Sequence, residues 1–443
     1  MKQSKTDQWN GPKQANVIIR KCNPNSMKEY RHRLIDEELR LNLESFGAVS
    51  LEGPKWCGKT TTALQQAKST VFMQDEDNAP NYLRLAEDTP SALLKGDRPR
   101  LIDEWQVAPR LWDAVRFSVD KDDEEGMYIL TSSRTMDWDK VKHSGAGRIS
   151  RLRMRTMSLW ESGDSTGEVR LGSLFTEGAR VGGSSPHEIY DIAEILTRGG
   201  WPKVIGRDSR HARTVVEGYC RSLTDSEIRT VDGRERDPDK MRDVLKSISR
   251  NTATHSPDTK ILADINPNAP AMNIKTLRDY IGVLERIHVV EDLPAWSPKL
   301  RSKATIMSRH TRHLTDPAIA AYFLGATDED LVFDMDTFGL LFESLVVRDL
   351  RVYTQALGGD VYHFRDSNGV EADAIVHLNN GRWGAIEVKL NPAREDEGAE
   401  SLIRLRDTVD CRPPSFLAVI TGRGMAHTRP DGIHVIPIGC LRD

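Results

Sequence analysis

Eight residues, Gly53-Pro54-Lys55-Trp56-Cys57-Gly58-Lys59-Thr60, follow the order G-x-x-x-x-G-K-T. The chemistry that needs this order is phosphate binding. A strand must end in a loop whose backbone N–H groups face inward around an anion, and glycines permit that backbone. Lys59 then reaches the β- and γ-phosphates, and Thr60 holds Mg²⁺. Thr61 carries the chain on through "TTTALQQA", a helix whose positive end points at the same anion. ATP and Mg²⁺ are the expected ligands. Such a loop also needs acids at a neighbouring strand end, and "RPRLIDEWQ" supplies Asp103 and Glu104. Asp103 would stand behind the metal, and Glu104 would polarise the attacking water. "MYILTSSR" is a further apolar strand with hydroxyls at its tip, so Thr131 or Ser133 could touch the γ-phosphate or the water. Arg148, in "SGAGRIS", is open to two readings: a phosphate-directed arginine, in its own chain or from a neighbouring copy, or a structural one.

A second set of chemically capable residues lies in "GVEADAIVHLNNGRWGAIEVKL", residues 369–390. It reads as two strands around a turn. Side chains alternate between the faces of a strand, so Glu371 and Asp373 share one face of the first strand, and Glu387 and Lys389 share one face of the second. The apolar sets coincide only if the loop has three residues, Asn379-Asn380-Gly381, with Gly381 in the left-handed position. In that register Asp373 faces Glu387, and Glu371 faces Lys389. Like charges opposed across strands are destabilising, and a divalent cation would neutralise them. In "FGLLFESLVVRDL", Glu343 lies within the apolar stripe of a helix, where an unpaired carboxylate is costly. If that helix packs on the hairpin, Glu343, Asp373 and Glu387 converge as metal ligands, with Lys389 placed to orient or deprotonate a water. That is the constellation of a metal-dependent phosphodiesterase. The alternative is a pair of structural ion pairs, Glu371–Lys389 and Glu343–Arg365.

These sites need elements to position them. From Arg31 to about Ile149, short apolar runs alternate with amphipathic stretches, which predicts an α/β unit with a parallel sheet. Its strands are expected at 48–53, 70–74, 100–104 and 127–133. From Arg210 to about Leu324 the pattern is mostly helical. "DTKILADIN" followed by "NIKTLRDYIGVLERIHVV" reads as a helix-turn-helix with a wing, its longer helix burying Ile274, Leu277, Ile281, Leu284 and Ile287. The expected division is a flexible arm (1–28), an ATPase domain (29–205), a helical and winged-helix domain (206–325) and a C-terminal α/β domain (326–443).

The chain has 443 residues, 38% hydrophobic and 29% charged, enough for several soluble cores and too ordered a composition for disorder. No apolar run is long enough to span a membrane, and the first residues lack the apolar core of a secretory signal. Five scattered cysteines argue against zinc and against a disulfide framework, which suits the cytoplasm. The net charge of −4 gives no global pull toward nucleic acid. Two stretches are locally basic: 297–313, with Lys299, Arg301, Lys303, Arg309 and Arg312, and "GRISRLRMR" at 147–155. Each is either a nucleic-acid contact, DNA being the candidate partner, or a set of internal ion-pair partners. A homo-oligomer is left open.

The chain resembles the bacterial and archaeal AAA-type ATPases that carry a C-terminal domain of unknown function. The segments that carry the resemblance include "YRHRLIDEEL", "FGAVSLEGPKWCGKTTTA", "RPRLIDEWQ", "YILTSSR", "RGGWP", "LRDYIGVLERIHVVEDLPAW" and "FGLLFESLVVRDL", then "FRDSNGVEADAIV" and "AIEVKL". The resemblance implies an ATPase core, a winged-helix middle, and a C-terminal domain similar to PD-(D/E)xK nucleases. It also implies a DNA-related or defence process, with nuclease activity undecided. Two positions depart from it: Ser132 stands where many relatives have glycine, and Ala372 replaces the proline that names the nuclease motif.

Overall fold

A computed structural model describes residues 30–135, 143–227, 234–266, 272–298, 310–410 and 412–443. Its first half is built on five strands: β1 (Ala48–Glu52), β2 (Ser69–Phe72), β3 (Arg100–Asp103), β4 (Tyr128–Ser132) and β5 (Ile149–Arg153). All pair in parallel, in the order β2-β3-β4-β1-β5. The parallel α/β sheet expected from the pattern is thus present, with one strand more than the apolar runs showed. Helices α1 (Ile35–Leu43) and α2 (Lys59–Gln66) cover one face, and α3 (Ala79–Asp88) and α4 (Arg110–Asp122) the other. The order matters for chemistry. It puts the tips of β1, β3 and β4 at one edge of the sheet, where strand ends and helix N-termini face the same space.

After α5 (Leu159–Ser162), two short strands depart from the expected division at residue 205. β6 (Val169–Arg170) pairs with the last strand of the chain, and β7 (Gly183–Ser184) joins the edge of the C-terminal sheet. The middle is helical: α6 (Ile189–Arg198), α7 (Ser209–Ser222) with a π-helical turn over Leu223–Glu227, α8 (Pro238–Arg250), α9 (Asp258–Ile265) and α10 (Ile274–Arg286). α10 buries Leu277, Ile281, Leu284 and Ile287 of its predicted stripe, and adds Tyr280 and Val283. Beyond it the chain makes antiparallel bridges, Val290 to Leu314 and Leu293 to Thr311. Lys299, Arg301, Lys303 and Arg309 lie outside the described residues. Arg312 is not free for nucleic acid: it binds Asp258 at 3.0 Å and Asp292 at 2.9 Å.

Then come α11 (Pro317–Leu324), α12 (Asp328–Phe333) and the long α13 (Met335–Ala356). The C-terminal sheet contains β8 (Gly359–Arg365), β9 (Glu371–Leu378), β10 (Trp383–Lys389), β11 (Phe416–Thr421), β12 (Met425–Thr428) and β13 (His434–Pro437), in the order β7-β12-β13-β11-β10-β9-β8. It is mixed: β10, β11 and β13 run parallel, and the β8-β9-β10 meander is antiparallel. α13 packs one face through Leu341, Leu345 and Ala374; α14 (Glu395–Thr408) packs the other through Leu402, Ile375 and Ala385. β14 (Leu441–Arg442) closes the chain against β6.

Candidate active sites

The phosphate loop joins β1 to α2. Its shape depends on two glycines. A Cβ on Gly53 would lie 2.1 Å from the Met154 carbonyl oxygen, and Gly58 has φ 109°, open only to glycine at ordinary cost. Lys59 is buried, and its Nζ donates to the carbonyls of Gly53 and Pro54, both at 2.9 Å. The helical middle grips the remaining loop residues. Trp201 Nε1 donates to the Lys55 carbonyl at 3.2 Å, Lys55 pairs with Glu227, and the Trp56 ring lies 5.9 Å from that of Tyr219. Arg33 Nη1 donates to the Cys57 carbonyl at 2.8 Å.

The acids stand at the tip of β3, across β4 from the loop strand. Asp103 Oδ1 accepts from Thr60 Oγ1 and from Thr131 Oγ1, each at 2.7 Å. Burial pushes the Asp103 carboxyl up, and the two hydroxyls oppose that shift. Glu104 sits in the left-handed region, φ 56°, ψ 40°. A non-glycine residue there is strained, and strain of this kind clusters at functional sites. Its carboxylate accepts from Ser133 Oγ at 2.8 Å and from Gln106 Nε2. Thr60, Asp103, Glu104, Thr131 and Ser133 therefore form one connected group with the loop. The donor set is hard oxygen, which fits a magnesium ion.

Arg148 does not join them. It precedes β5 at the opposite edge of the sheet, its carbonyl accepts from Ala48 N, and its side chain binds Asp120 at 2.6 Å. Within this chain it holds the structural place. Two other arginines of 147–155 are ion-paired too: Arg151 with Glu52 at 3.1 Å, and Arg155 with Glu291 at 2.7 Å.

Sequence reasoning passed over Gln106, Arg134, Trp201 and Glu227. Arg134 directly follows Ser133, and Glu104 and Glu227 act on its charge. Its position in "TSSR" was the available signal. Glu227 had none, since its partner is 172 positions away.

In the C-terminal hairpin the register runs from Trp383–His377 to Ile386–Ala374, and Gly381 takes φ 78°. This is the pairing of the three-residue loop, and Asp373 and Glu387 follow at the next step. Asp373 Oδ2 accepts from Val388 N at 2.7 Å, and Lys389 Nζ donates to Glu387 Oε2 at 2.9 Å. Glu387 is 3% exposed, and its Oε1 is buried without a hydrogen-bond partner. Burial, then the charge of Asp373, pushes its carboxyl up to about 8. Glu343, on α13, is raised well above the usual carboxylate range by burial and then by Asp373 and Glu387. The helix thus brings its carboxylate into the electrostatic reach of the hairpin pair. Among the described residues, however, no three such side chains stand close enough to hold one metal ion. Glu371 does not meet Lys389; it lies 3.6 Å from Arg365, which therefore pairs with Glu371 and not with Glu343.

Comparison with known families agrees with the first site. Residues 45–162 match a family model described as an AAA domain. Residues 189–330 and 338–441 match two models each described as a domain of unknown function, DUF8612 and DUF4143. No curated protein matches. Solved structures that resemble the chain include a Walker-type ATPase of Pyrococcus abyssi, 13% identical over 65% of this chain and 94% of that one, TM-score 0.41. A STAND protein with a tetratricopeptide repeat sensor from Pyrococcus horikoshii is 12% identical over 74% of this chain and 50% of its own, TM-score 0.21. Drosophila ORC bound to DNA is 12% identical over 73% and 96%, TM-score 0.20. At these scores, neither the ligands nor the partners of those proteins carry over. The phosphate loop, the parallel sheet and the AAA match make residues 45–162 a P-loop ATPase-type domain. Among the described residues, no helix is long and apolar enough to cross a membrane.

Proposed function

We propose that the chain is a Mg²⁺-dependent, AAA-type ATPase coupled to a C-terminal domain built like a PD-(D/E)xK nuclease. The observation that carries the first part is the shared acceptor: Asp103 Oδ1 joins Thr60 of the phosphate loop to Thr131 of the neighbouring strand. In this reading Thr60 and Asp103 would hold a magnesium ion, whose charge would offset that of the phosphates. Lys59 leaves its loop carbonyls for the β- and γ-phosphates. Glu104, held by Ser133 and Gln106, orients the attacking water and accepts its proton. ATP hydrolysis by the purified chain, lost in Lys59→Ala and in Glu104→Gln, tests it. Hydrolysis undiminished in both would sink it.

The second part rests on Glu387. A buried carboxylate oxygen with no partner, beside a like charge and a lysine, suits a divalent ion. Asp373, Glu387 and Glu343 would have to draw closer together than they stand here to hold that ion, and Lys389 would place a water for attack on a phosphodiester. DNA is the substrate class to test first, with RNA beside it. A Mg²⁺/Mn²⁺ cleavage assay on both, with and without ATP, decides the point. Asp373 favours a second reading, a nucleotide-gated protein that binds DNA or protein without cutting, since one of its oxygens is already committed to the Val388 N–H.

A further inference from the structure

Two side chains near the nucleotide end of the sheet, His288 and Arg153, carry nitrogens that are shielded from solvent without a hydrogen-bond partner. His288 follows α10 and is 3% exposed, yet neither ring nitrogen has a hydrogen-bond partner. Its backbone is left-handed, φ 58°. That conformation closes the helix, with Val289 N donating to the Leu284 carbonyl at 2.8 Å. Glycine or asparagine would close it at less cost and without burying an imidazole. The ring therefore has some use beyond ending a helix. Arg153 is the second. It ends β5 in register with Glu52, the last residue before the loop glycine. Its Nε and Nη2 are shielded from solvent and donate no hydrogen bond. The nearest carboxylate, on Glu291, is 3.5 Å away and is already held by Arg155 at 2.7 Å.

The fold brings the pair to the nucleotide end of the sheet. Thr135 N, just past the tip of β4, donates to the Arg286 carbonyl at 2.7 Å and so docks the end of α10 there. Burial, then the charges of Arg153 and Lys59, hold the His288 ring neutral, with a pKa lowered to about 3. A neutral imidazole keeps one N–H donor. A neutral donor, a guanidinium with two unused N–H groups and the loop lysine make a place for an anion, and the nucleotide phosphates are the anion this loop is built for.

We propose that His288 and Arg153 are two further phosphate-binding residues of the nucleotide site, supplied by the helical middle and by the edge strand. The proposal rests on the ATP reading. It gives the middle segment a direct view of the bound nucleotide, because Arg153 would move from Glu291 toward the phosphates as they arrive.

Binding of fluorescent ATP and ADP analogues to the full-length chain, with Mg²⁺, tests this in His288→Ala, His288→Gln and Arg153→Gln. A charge-assisted hydrogen bond is worth about 1.5–3 kcal/mol, so His288→Ala and Arg153→Gln should each weaken at least one nucleotide about tenfold or more. His288→Gln keeps an N–H donor and should recover part of the loss. The ATP-induced rise in unfolding temperature should shrink in parallel. Affinities within twofold of wild type in the alanine and arginine variants would overturn the proposal, and so would equal losses in His288→Ala and His288→Gln. If His288→Ala does not fold, Arg153→Gln and His288→Gln decide by the same criteria. A wild-type chain that binds neither analogue would instead overturn the ATP reading itself, and the pair with it.

Discussion

Thr60 and Thr131 donate to the same oxygen of Asp103, each at 2.7 Å, so one carboxylate ties the phosphate loop to the strand beside it. An asparagine could accept the same two bonds through its amide oxygen, but without the charge. Asp103→Asn should therefore fold with wild-type stability and lose Mg²⁺-dependent hydrolysis by about 100-fold or more, a loss typical of removing a charged group that serves the transition state. Asp103→Ala removes the acceptor of both hydroxyl protons and should cost about 1–3 kcal/mol of stability as well. Steady-state hydrolysis and urea unfolding separate the two effects.

Glu104 pairs a strained backbone with the water-activating role proposed for it. Its left-handed backbone costs about 1–2 kcal/mol for an L-residue and almost nothing for glycine. Glu104→Gly and Glu104→Ala both lose the bonds from Ser133 and Gln106, so the glycine variant should be the more stable of the two by about 1–2 kcal/mol while both abolish turnover, and Glu104→Gln should lose about 10²–10⁴-fold in kcat. Calorimetry alongside hydrolysis checks both effects. A glycine variant no more stable than the alanine variant would show that the conformation is not strained.

Much of the first site was legible because its residues are neighbours in sequence. The loop spans eight positions, and Asp103-Glu104 directly ends a strand. What escaped depends on long-range contact. β5 was read as basic charge because Arg151 and Arg153 occupy one face of a strand whose apolar face shows only Leu152 within the run. Their carboxylate partners, Glu52 and Glu291, lie about a hundred positions or more away. The hairpin register was legible because strand parity and a three-residue loop leave one arrangement. Glu343 was legible as a carboxylate in an apolar stripe. The distances that separate a metal site from a loose carboxylate cluster are not written in spacing, and neither is the choice of Arg365 as the partner of Glu371.

Glu387 should make stability depend on pH. Its folded pKa of about 8 lies above the 4.5 of a free carboxyl. Between those values the folded state binds more protons than the unfolded state, so stability should fall as pH rises from about 4.5 to 8. Asp373 and Glu343 are shifted in the same direction and add to the slope. Glu387→Gln should flatten the slope and be more stable than wild type at pH 8. If the cluster takes a divalent ion, millimolar Mg²⁺ or Mn²⁺ should raise the unfolding temperature more at pH 8 than at pH 5, and less in Glu387→Gln. Denaturant curves at both pH values test the first claim, and metal titration of the unfolding temperature tests the second.

A buried charge network joins the first half of the chain to the C-terminal helix. Arg348, on α13, is buried between Asp316 and Asp349, at 3.2 and 2.7 Å. Each acid then reaches a different part of the chain: Asp316 accepts from Gly200 N at 3.0 Å, and Asp349 from Leu159 N at 2.9 Å. The "RGGWP" turn and the start of α5 are thereby fixed to the C-terminal helix. Trp201, in that same turn, holds the Lys55 carbonyl of the phosphate loop. Removing one member of a buried ion network leaves uncompensated charge, so Arg348→Ala should cost about 3–5 kcal/mol. Arg348→Lys should recover little of it, because a lysine cannot present the planar fork that reaches both carboxylates. Arg348→Met combined with Asp316→Asn and Asp349→Asn removes the charges together and should be less destabilised than Arg348→Ala alone. If all three proteins unfold at the same denaturant concentration as wild type, the network does not hold the halves together.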